Sequence, residues 1–74
     1  MNINEKIGLR ISNLRIQKDL SQKALAFDAD VNRTYLSRVE KGERKISVEV
    51  LERIIKALNI SFMDFFDHQN FKNE

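Results

Sequence analysis

The amino-acid sequence predicts an all-α fold, a five-helix bundle that forms one small domain. Its 74 residues include no proline and only two glycines, Gly8 and Gly42, so few positions interrupt a helix. Apolar residues recur at the 3.6-residue spacing of helices, and serine or asparagine precedes several of the apolar runs. We expect the domain to span residues 1–67. Residues 68–74 should form a frayed tail, although Phe71 could pack back onto the domain.

The first and fourth helices are predicted from their apolar stripes. The first covers residues 3–18, and the fourth covers about residues 48–58, with Ser47 as its N-terminal cap. Arg10 of the first helix should point away from the stripe, and Arg53 of the fourth should face solvent. The inward positions are Ile3, Ile7, Ile11 and Leu14 in the first helix, and Val48, Leu51, Ile54, Ile55 and Leu58 in the fourth.

Residues 21–42 contain two short helical patterns joined by a tight polar break. Ser21 is placed to cap the first of these helices, about residues 22–28, and Asn32 to cap the second. Gly42 stands where a left-handed residue would end the second helix. Helices this short and this closely joined are typical of a helix-turn-helix. The inward positions of the two helices are apolar: Leu25, Ala26, Leu36 and Val39.

The outward face of the second of these helices indicates a function. It lies opposite the apolar positions and presents two guanidinium groups and two hydroxyls: Arg33, Thr34, Ser37 and Arg38. Arginine can bond bidentately to guanine, threonine offers a hydroxyl and a methyl to thymine, and serine can donate or accept. This face therefore predicts base contacts in the major groove of DNA. An ordinary solvated surface is the alternative interpretation.

Residues beside this face are suited to the DNA backbone: Gln22, Lys23, Asn32, Tyr35, Lys41, Arg44 and Lys45. Gln22 and Lys23 begin a helix, where free N–H groups bind anions. Gln22 should hold a phosphate and set the angle of approach rather than choose the sequence. Tyr35 has two alternatives, a contact with the DNA backbone or core packing over the first helix. For Phe27, whose angle on its helix is ambiguous, we expect core packing.

The distribution of charge supports DNA binding more strongly than the net charge of +2 does. Residues 33–45 contain five basic and two acidic side chains, whereas residues 59–74 contain one basic and three acidic side chains. This asymmetry would steer the molecule onto DNA in one orientation.

The central segment resembles the helix-turn-helix of the phage-repressor-like (xenobiotic-response-element type) DNA-binding family over about residues 5–66. The run Asn32 to Ser37, followed by Val39 and Glu40, is similar more narrowly to restriction–modification controller proteins. Asp30 stands where the family usually has a glycine, and aspartate tolerates the left-handed conformation less well than glycine. The family positions are matched by Arg15, Gln22, Leu25, Ala26, Val31, Leu36, Val39, Glu40 and Gly42.

The resemblance implies a transcriptional regulator that binds a palindromic operator as a dimer. It also implies that Arg15 pairs with Glu40, an arrangement that fixes the recognition helix against the first helix. A phage-type repressor or an antitoxin with the same fold is the near alternative. A helical interaction module, whose basic face meets an acidic protein, is the alternative from another class.

The C-terminal helix, residues 62–67 with Ser61 as its cap, offers a dimer surface. Four large apolar groups fall within five positions, which is wider than one buried stripe needs: Phe62, Met63, Phe65 and Phe66. Phe62 and Phe66 can face the core, leaving Met63 or Phe65 outside. The predicted interface consists of Met63, Phe65 and Phe66, against a symmetry mate. The alternative is a small core that wraps all four side chains.

No catalytic or metal-binding pattern is found in the sequence. There are no cysteines, and His68 is the only histidine. Asp64 and Asp67 share a helix face but lack companions that would complete a metal site. We therefore expect no enzymatic activity, cofactor, metal or small-molecule ligand. No run is long enough to cross a bilayer and the N-terminus lacks a signal-peptide core, so we expect a cytoplasmic protein.

Overall fold

The computed structural model describes residues 1–72, and this part of the chain contains helices and turns but no strand. The predicted all-α bundle is confirmed, and the ends of four of its five helices differ from the predicted ends by one residue. The helices are α1 (Ile3–Gln17), α2 (Gln22–Ala29), α3 (Arg33–Glu40), α4 (Val48–Ala57) and α5 (Phe62–Phe66), followed by a 3-10 helix (Gln69–Phe71). No helix in the described range is long and apolar enough to span a membrane.

Each α-helix in this range begins at a side chain that accepts a backbone N–H bond. The caps are Asn2, Ser21, Asn32, Ser47 and Ser61. Asn2 and Glu5 form a reciprocal capping box, in which each side chain bonds to the other residue's N–H at 2.9 Å. These bonds satisfy donors that the helix itself leaves open, and they fix where each helix starts.

The first four helices are each followed by a residue in the left-handed region. These residues are Asp19 (φ 59°), Asp30 (φ 57°), Gly42 (φ 77°) and Asn59 (φ 60°). Aspartate and asparagine are the non-glycine residues that visit this region most readily. The turn therefore forms at Asp30 although the resemblance leads one to expect glycine there.

The core is one cluster that takes side chains from all five α-helices. Its wholly buried members include Ile11 of α1, Leu25 of α2, Leu36 of α3, Ile54 of α4 and Phe65 of α5. The helix-turn-helix is thus attached to the same core as α1 and α4.

Three predicted burial assignments are wrong. Ile3 and Val48 are 55% and 73% exposed, because each is the first residue of its helix and extends beyond the neighbouring elements. Phe27 is 84% exposed. The buried face of α2 is formed by Leu25, Ala26 and Ala29, and at about 100° per residue Phe27 lies on the opposite side.

The C-terminal segment packs differently from the prediction. Phe65 is completely buried in the subunit's own core, whereas Met63 is 83% exposed and Phe62 is 39% exposed. Of the two candidates for the outside position, the structure selects Met63, and the side chain of Phe65 is not available to a partner surface. Phe66 is partly buried, against Phe65 at a ring distance of 5.0 Å.

Residues 69–71 form the 3-10 helix, and Phe71 packs against the core, so this part of the predicted tail is not frayed. Phe71 packs back onto Phe66 with ring centroids 4.9 Å apart, and Lys72 forms an ion pair with Asp67 at 2.6 Å. The hydrogen bond and charge of Lys72 lower the pKa of the Asp67 carboxyl, with a further contribution from Arg10. Residues 73 and 74, the rest of the predicted tail, lie outside the described residues.

Helices α1 and α3 are in close contact at Gly8. A Cβ atom at this position would collide with the carbonyl oxygen of Val39 and lie 3.0 Å from that of Glu40. Both obstacles are backbone atoms at the end of α3, so they cannot move aside without displacing the helix.

This contact predicts that Gly8→Ala destabilises the protein by about 1–3 kcal/mol, as overpacking does. Helix propensity alone would have the opposite effect, a gain of about 1 kcal/mol. Urea unfolding measures the change, with the exposed Asn13→Ala on the same helix as the control. A Gly8→Ala protein as stable as the control would show that α1 and α3 are not in close contact.

Candidate nucleic-acid interface

The turn between α2 and α3 is built by local hydrogen bonds. Asp30 takes the left-handed conformation, and the N–H of Val31 donates to the carbonyl of Ala26 at 3.0 Å. Val31 then packs against the core, and the Asn32 side chain accepts from the N–H groups of Thr34 and Tyr35. These contacts connect the two helices within three residues.

Helix α3 is divided into an apolar and a polar face. Leu36 and Val39 are 0% and 1% exposed. Of the four predicted base-contacting residues on the other face, Arg33, Thr34 and Arg38 are exposed and Ser37 is half-buried. Among residues 1–72, neither guanidinium group of this face has a hydrogen-bond or ion-pair partner. The structure therefore brings the four side chains together on one surface, with both arginines available to a ligand.

The residues predicted to contact the DNA backbone surround this face, but some of their polar atoms already have partners within the protein. Lys23, Lys41, Arg44 and Lys45 are exposed. The oxygen of the Asn32 side chain is occupied by its capping bonds.

Tyr35 packs partly against the core, as one of the two alternatives predicted, and it also makes contacts that the sequence did not predict. The side chain is half-buried, its hydroxyl donates to the carbonyl of Lys45 at 3.1 Å, and the Arg44 guanidinium lies 5.5 Å from its ring centroid. Tyr35 therefore ties the basic loop that follows α3 to the recognition helix.

A bidentate ion pair joins α1 to the end of α3. Arg15 Nε lies 2.8 Å from Glu40 Oε2, and Arg15 Nη2 lies 3.1 Å from Glu40 Oε1. The third nitrogen, Nη1, donates to the carbonyl of Leu20 at 2.8 Å. The two side chains are only 14% and 5% exposed, so both charges are largely withdrawn from water.

Gln22, expected to bind phosphate, also contacts this ion pair. Its Nε2 donates to Glu40 Oε1 at 3.1 Å, so one carboxylate receives bonds from α1 and from the first residue of α2. Sequence reasoning missed this contact. Helical periodicity places Gln22 near the surface and does not show that its long side chain turns toward the end of α3.

Two further arginines have structural roles that the sequence did not predict. Arg53 donates from α4 to the carbonyls of Ala29 and Asp30, at 3.0 and 3.3 Å, and so supports the turn of the helix-turn-helix. Arg10 donates from α1 to the carbonyls of Asp64 and Phe65. Each contact joins residues more than 20 positions apart, and no local signal in the sequence identifies such a partner.

The domain also exposes apolar side chains outside the helix-turn-helix. Met63 of α5 is exposed, and a groove of about 530 Å³ lies between the start of α1 and the C-terminal rings of Phe66 and Phe71. Met1 and Ile3, which line this groove, are 68% and 55% exposed. Within the described residues, no group of three or more histidine, aspartate or glutamate side chains is placed to hold a metal ion.

Two short helices joined through a left-handed residue, the second with an exposed basic face, define a helix-turn-helix protein. The helix-turn-helix family model matches residues 11–65. The control protein C.BamHI of Bacillus amyloliquefaciens is 37% identical over 73 residues, which cover 97% of this chain and 90% of that protein.

Solved structures agree with this match. The restriction–modification controller protein C.AhdI from Aeromonas hydrophila has a TM-score of 0.81 at 36% identity, over 85% of this chain and 96% of that chain. The controller protein C.Esp1396I, solved as a tetramer in complex with its natural 35 base-pair operator, has a TM-score of 0.84 at 32% identity, over 89% of this chain and 87% of that chain. This chain therefore belongs to the helix-turn-helix family and, within it, to the restriction–modification controller proteins.

The geometry of the ion pair predicts that Arg15→Ala lowers the free energy of unfolding by about 3 kcal/mol, because it leaves a buried carboxylate without its countercharge. Chemical denaturation of the variant measures the loss. The exposed Lys18→Ala at the end of the same helix serves as the control and should stay within about 0.5 kcal/mol of the wild type. Equal stability of the two variants would contradict a structural role for the pair.

Proposed function

We propose that this protein is a transcriptional regulator that binds a palindromic operator as a homodimer and controls restriction–modification genes. The observation that carries the proposal is the pair of unpartnered arginines, Arg33 and Arg38, on the exposed face of a helix whose other face is buried. The operator complex of C.Esp1396I supports the same function for a relative of the same fold. The chemistry required is recognition rather than catalysis, so we propose no enzymatic step. A cytoplasmic location, where the target DNA would lie, is part of the same proposal.

Base readout is assigned to Arg33, Thr34, Ser37 and Arg38. The arginines suit the two acceptors that guanine presents in the major groove, and the methyl of Thr34 suits thymine. Ser37 is half-buried, so its hydroxyl reaches a base only if α3 lies deep in the groove. Buried Leu36 and Val39 hold the helix from the other side.

Backbone contacts are assigned to the residues that flank this face. Gln22 and Lys23 begin α2, where open N–H groups and the helix dipole favour a phosphate. Lys41, Arg44 and Lys45 follow α3, and Tyr35 fixes the loop that carries the last two through its bond to the Lys45 carbonyl. Asn32, whose oxygen caps α3, has only its amide nitrogen left for the DNA backbone. These contacts position the domain and carry little sequence information.

The homodimer is assigned to the C-terminal surface. One recognition helix reads few base pairs, and two-fold related domains read two half-sites about one helical turn apart. Met63, with Phe62 and Phe66 beside it, exposes apolar area that a second copy would cover, at about 25 cal/mol per Å². Phe65 supports this surface from within the core and does not reach the partner.

Selection of bound sites from random DNA duplexes tests the function directly. If the protein is such a regulator, the selection should recover a two-fold symmetric sequence. The affinity for this sequence should fall steeply as the salt concentration rises, and it should exceed the affinity for non-specific DNA by about 10³-fold or more. Recovery of no preferred sequence would contradict the proposal and favour an interaction module for acidic proteins.

On the selected operator, we expect Arg33→Ala and Arg38→Ala each to cost about 1–3 kcal/mol and to relax the preference at one base-pair position. The control, Lys45→Ala, should weaken all duplexes alike and reduce the salt dependence. Fluorescence anisotropy on operator and random duplexes separates the two effects. Equal losses on both kinds of DNA for both arginine variants would refute the readout assignment.

Sedimentation analysis tests the dimer through Met63→Asp, which places a charge in the predicted apolar contact. The wild type should be dimeric at concentrations on the order of tens of micromolar, and the variant should be monomeric. Phe27→Asp is the matched control, since Phe27 is equally exposed but lies on α2. A monomeric wild type would refute the dimer, and a dimeric Met63→Asp protein would place the interface elsewhere.

A further inference from the structure

The Glu40 carboxylate binds side chains from two other helices, Arg15 of α1 and Gln22 of α2. It accepts three hydrogen bonds, two from Arg15 and one from the Gln22 amide. Glu40 is the last residue of α3, and Gln22 is the first residue of α2. The amide at the start of α2 is thus held at a fixed distance from the helix that carries the base-reading face.

The Gln22 amide retains a free donor in this arrangement. Its Nε2 carries two hydrogens, and the bond to Glu40 uses one of them. Beside it, the backbone N–H groups of Gln22 and Lys23 have no acceptor within the helix, because Ser21 takes only those of Ala24 and Leu25. A phosphate placed there would meet donors from the backbone and from an amide that is already oriented.

An acidic residue so near a phosphate would normally repel it. Here the charge of Glu40 is compensated by a bidentate arginine, and its side chain is 5% exposed, so it faces Arg15 rather than the DNA. Orientation before binding reduces the side-chain entropy that is lost when the contact forms.

We infer that Glu40 is a positioning residue for the DNA contact of Gln22: it holds the Gln22 amide in the orientation that meets a backbone phosphate. This inference rests on the proposed operator binding and adds to it the residue that sets one phosphate contact. Glu40 itself does not touch DNA. Because Glu40 is the last residue of α3, it also fixes where that phosphate contact lies relative to the recognition face of α3.

The test uses the selected operator duplex with single phosphates replaced by uncharged methylphosphonates. In the wild type, one replacement per half-site should weaken binding by about tenfold through loss of the Gln22 contact, as expected for a hydrogen bond to a charged group. In Gln22→Ala this sensitivity should decrease to the part that the backbone N–H groups of α2 supply, while the other phosphates keep their effects.

Glu40→Gln should reduce the sensitivity at the same phosphate by as much as Gln22→Ala does. The substituted amide has one oxygen, which Arg15 takes, so its NH2 group faces Gln22 and can be met only by the Gln22 oxygen, which turns the Gln22 NH2 group out of its wild-type orientation. Ile54→Val is the control for destabilisation alone, because Ile54 lies in the core of α4, remote in sequence from both residues. It should retain the wild-type pattern.

Two results would overturn the inference while operator binding stands. One is an unchanged phosphate pattern in Gln22→Ala, which would mean that Gln22 makes no such contact. The other is an unchanged pattern in Glu40→Gln, which would mean that Gln22 binds without help from Glu40. Failure of the wild type to select any duplex would instead refute the proposed function.

A measurement on the free wild-type protein decides the matter if Glu40→Gln does not fold. Nitrogen-15 relaxation of side-chain amides should give Gln22 an order parameter that approaches that of rigid backbone amides, about 0.85. The exposed Gln17, at the end of α1, should fall below about 0.6. A Gln22 amide as mobile as that of Gln17 would contradict a positioning role for Glu40.

Discussion

The carboxylate of Glu40 is the point at which the first three helices are held together. It accepts hydrogen bonds from Arg15 of α1 and from Gln22 of α2, and Glu40 itself belongs to the last turn of α3. The absence of a side chain at Gly8 allows the close approach of α1 and α3 that this arrangement requires. A largely buried ion pair of this kind adds more to orientation than to net stability. The angle between the two helices of the DNA-binding unit thus depends on a polar contact as well as on the core.

Arginine side chains hold the ends of several elements in the same way. Arg53 donates to the residues that close α2, and Arg10 donates to the last residues of α5, whereas Arg15 donates to Leu20 in the turn between α1 and α2. Carbonyl groups at helix ends lack partners within the helix, and a guanidinium satisfies them while favouring the negative end of the dipole. In a chain of 74 residues the core is small, so these hydrogen bonds between distant segments supplement the core in stabilising the fold.

Helix positions could be predicted because they depend on local chemistry. Ser21 and Asn32 begin their helices through bonds to residues two or three positions ahead, and the faces of α3 follow from its period. The wrong and missing predictions have a different cause. Whether Phe65 or Met63 lies outside α5 depends on how that short helix is rotated against α4 and the tail. The partners of Gln22 and Arg53 likewise lie on other helices, and a pattern along one helix contains no information about them.

The division of α3 into two faces separates the side chains that we propose to read DNA from the side chains that hold the helix in the fold. Leu36 and Val39 attach the helix to the core, whereas Arg33, Thr34 and Arg38 have no part in it. Exchange of the exposed side chains changes the surface offered to DNA at little expense in stability, since surface substitutions away from caps and buried contacts usually have small effects. If these side chains read the operator as proposed, new operator preferences are accessible to this scaffold by a few substitutions, each tolerated on its own. A pair of gene systems in one cell could diverge in this way until their regulators no longer act on each other's sites.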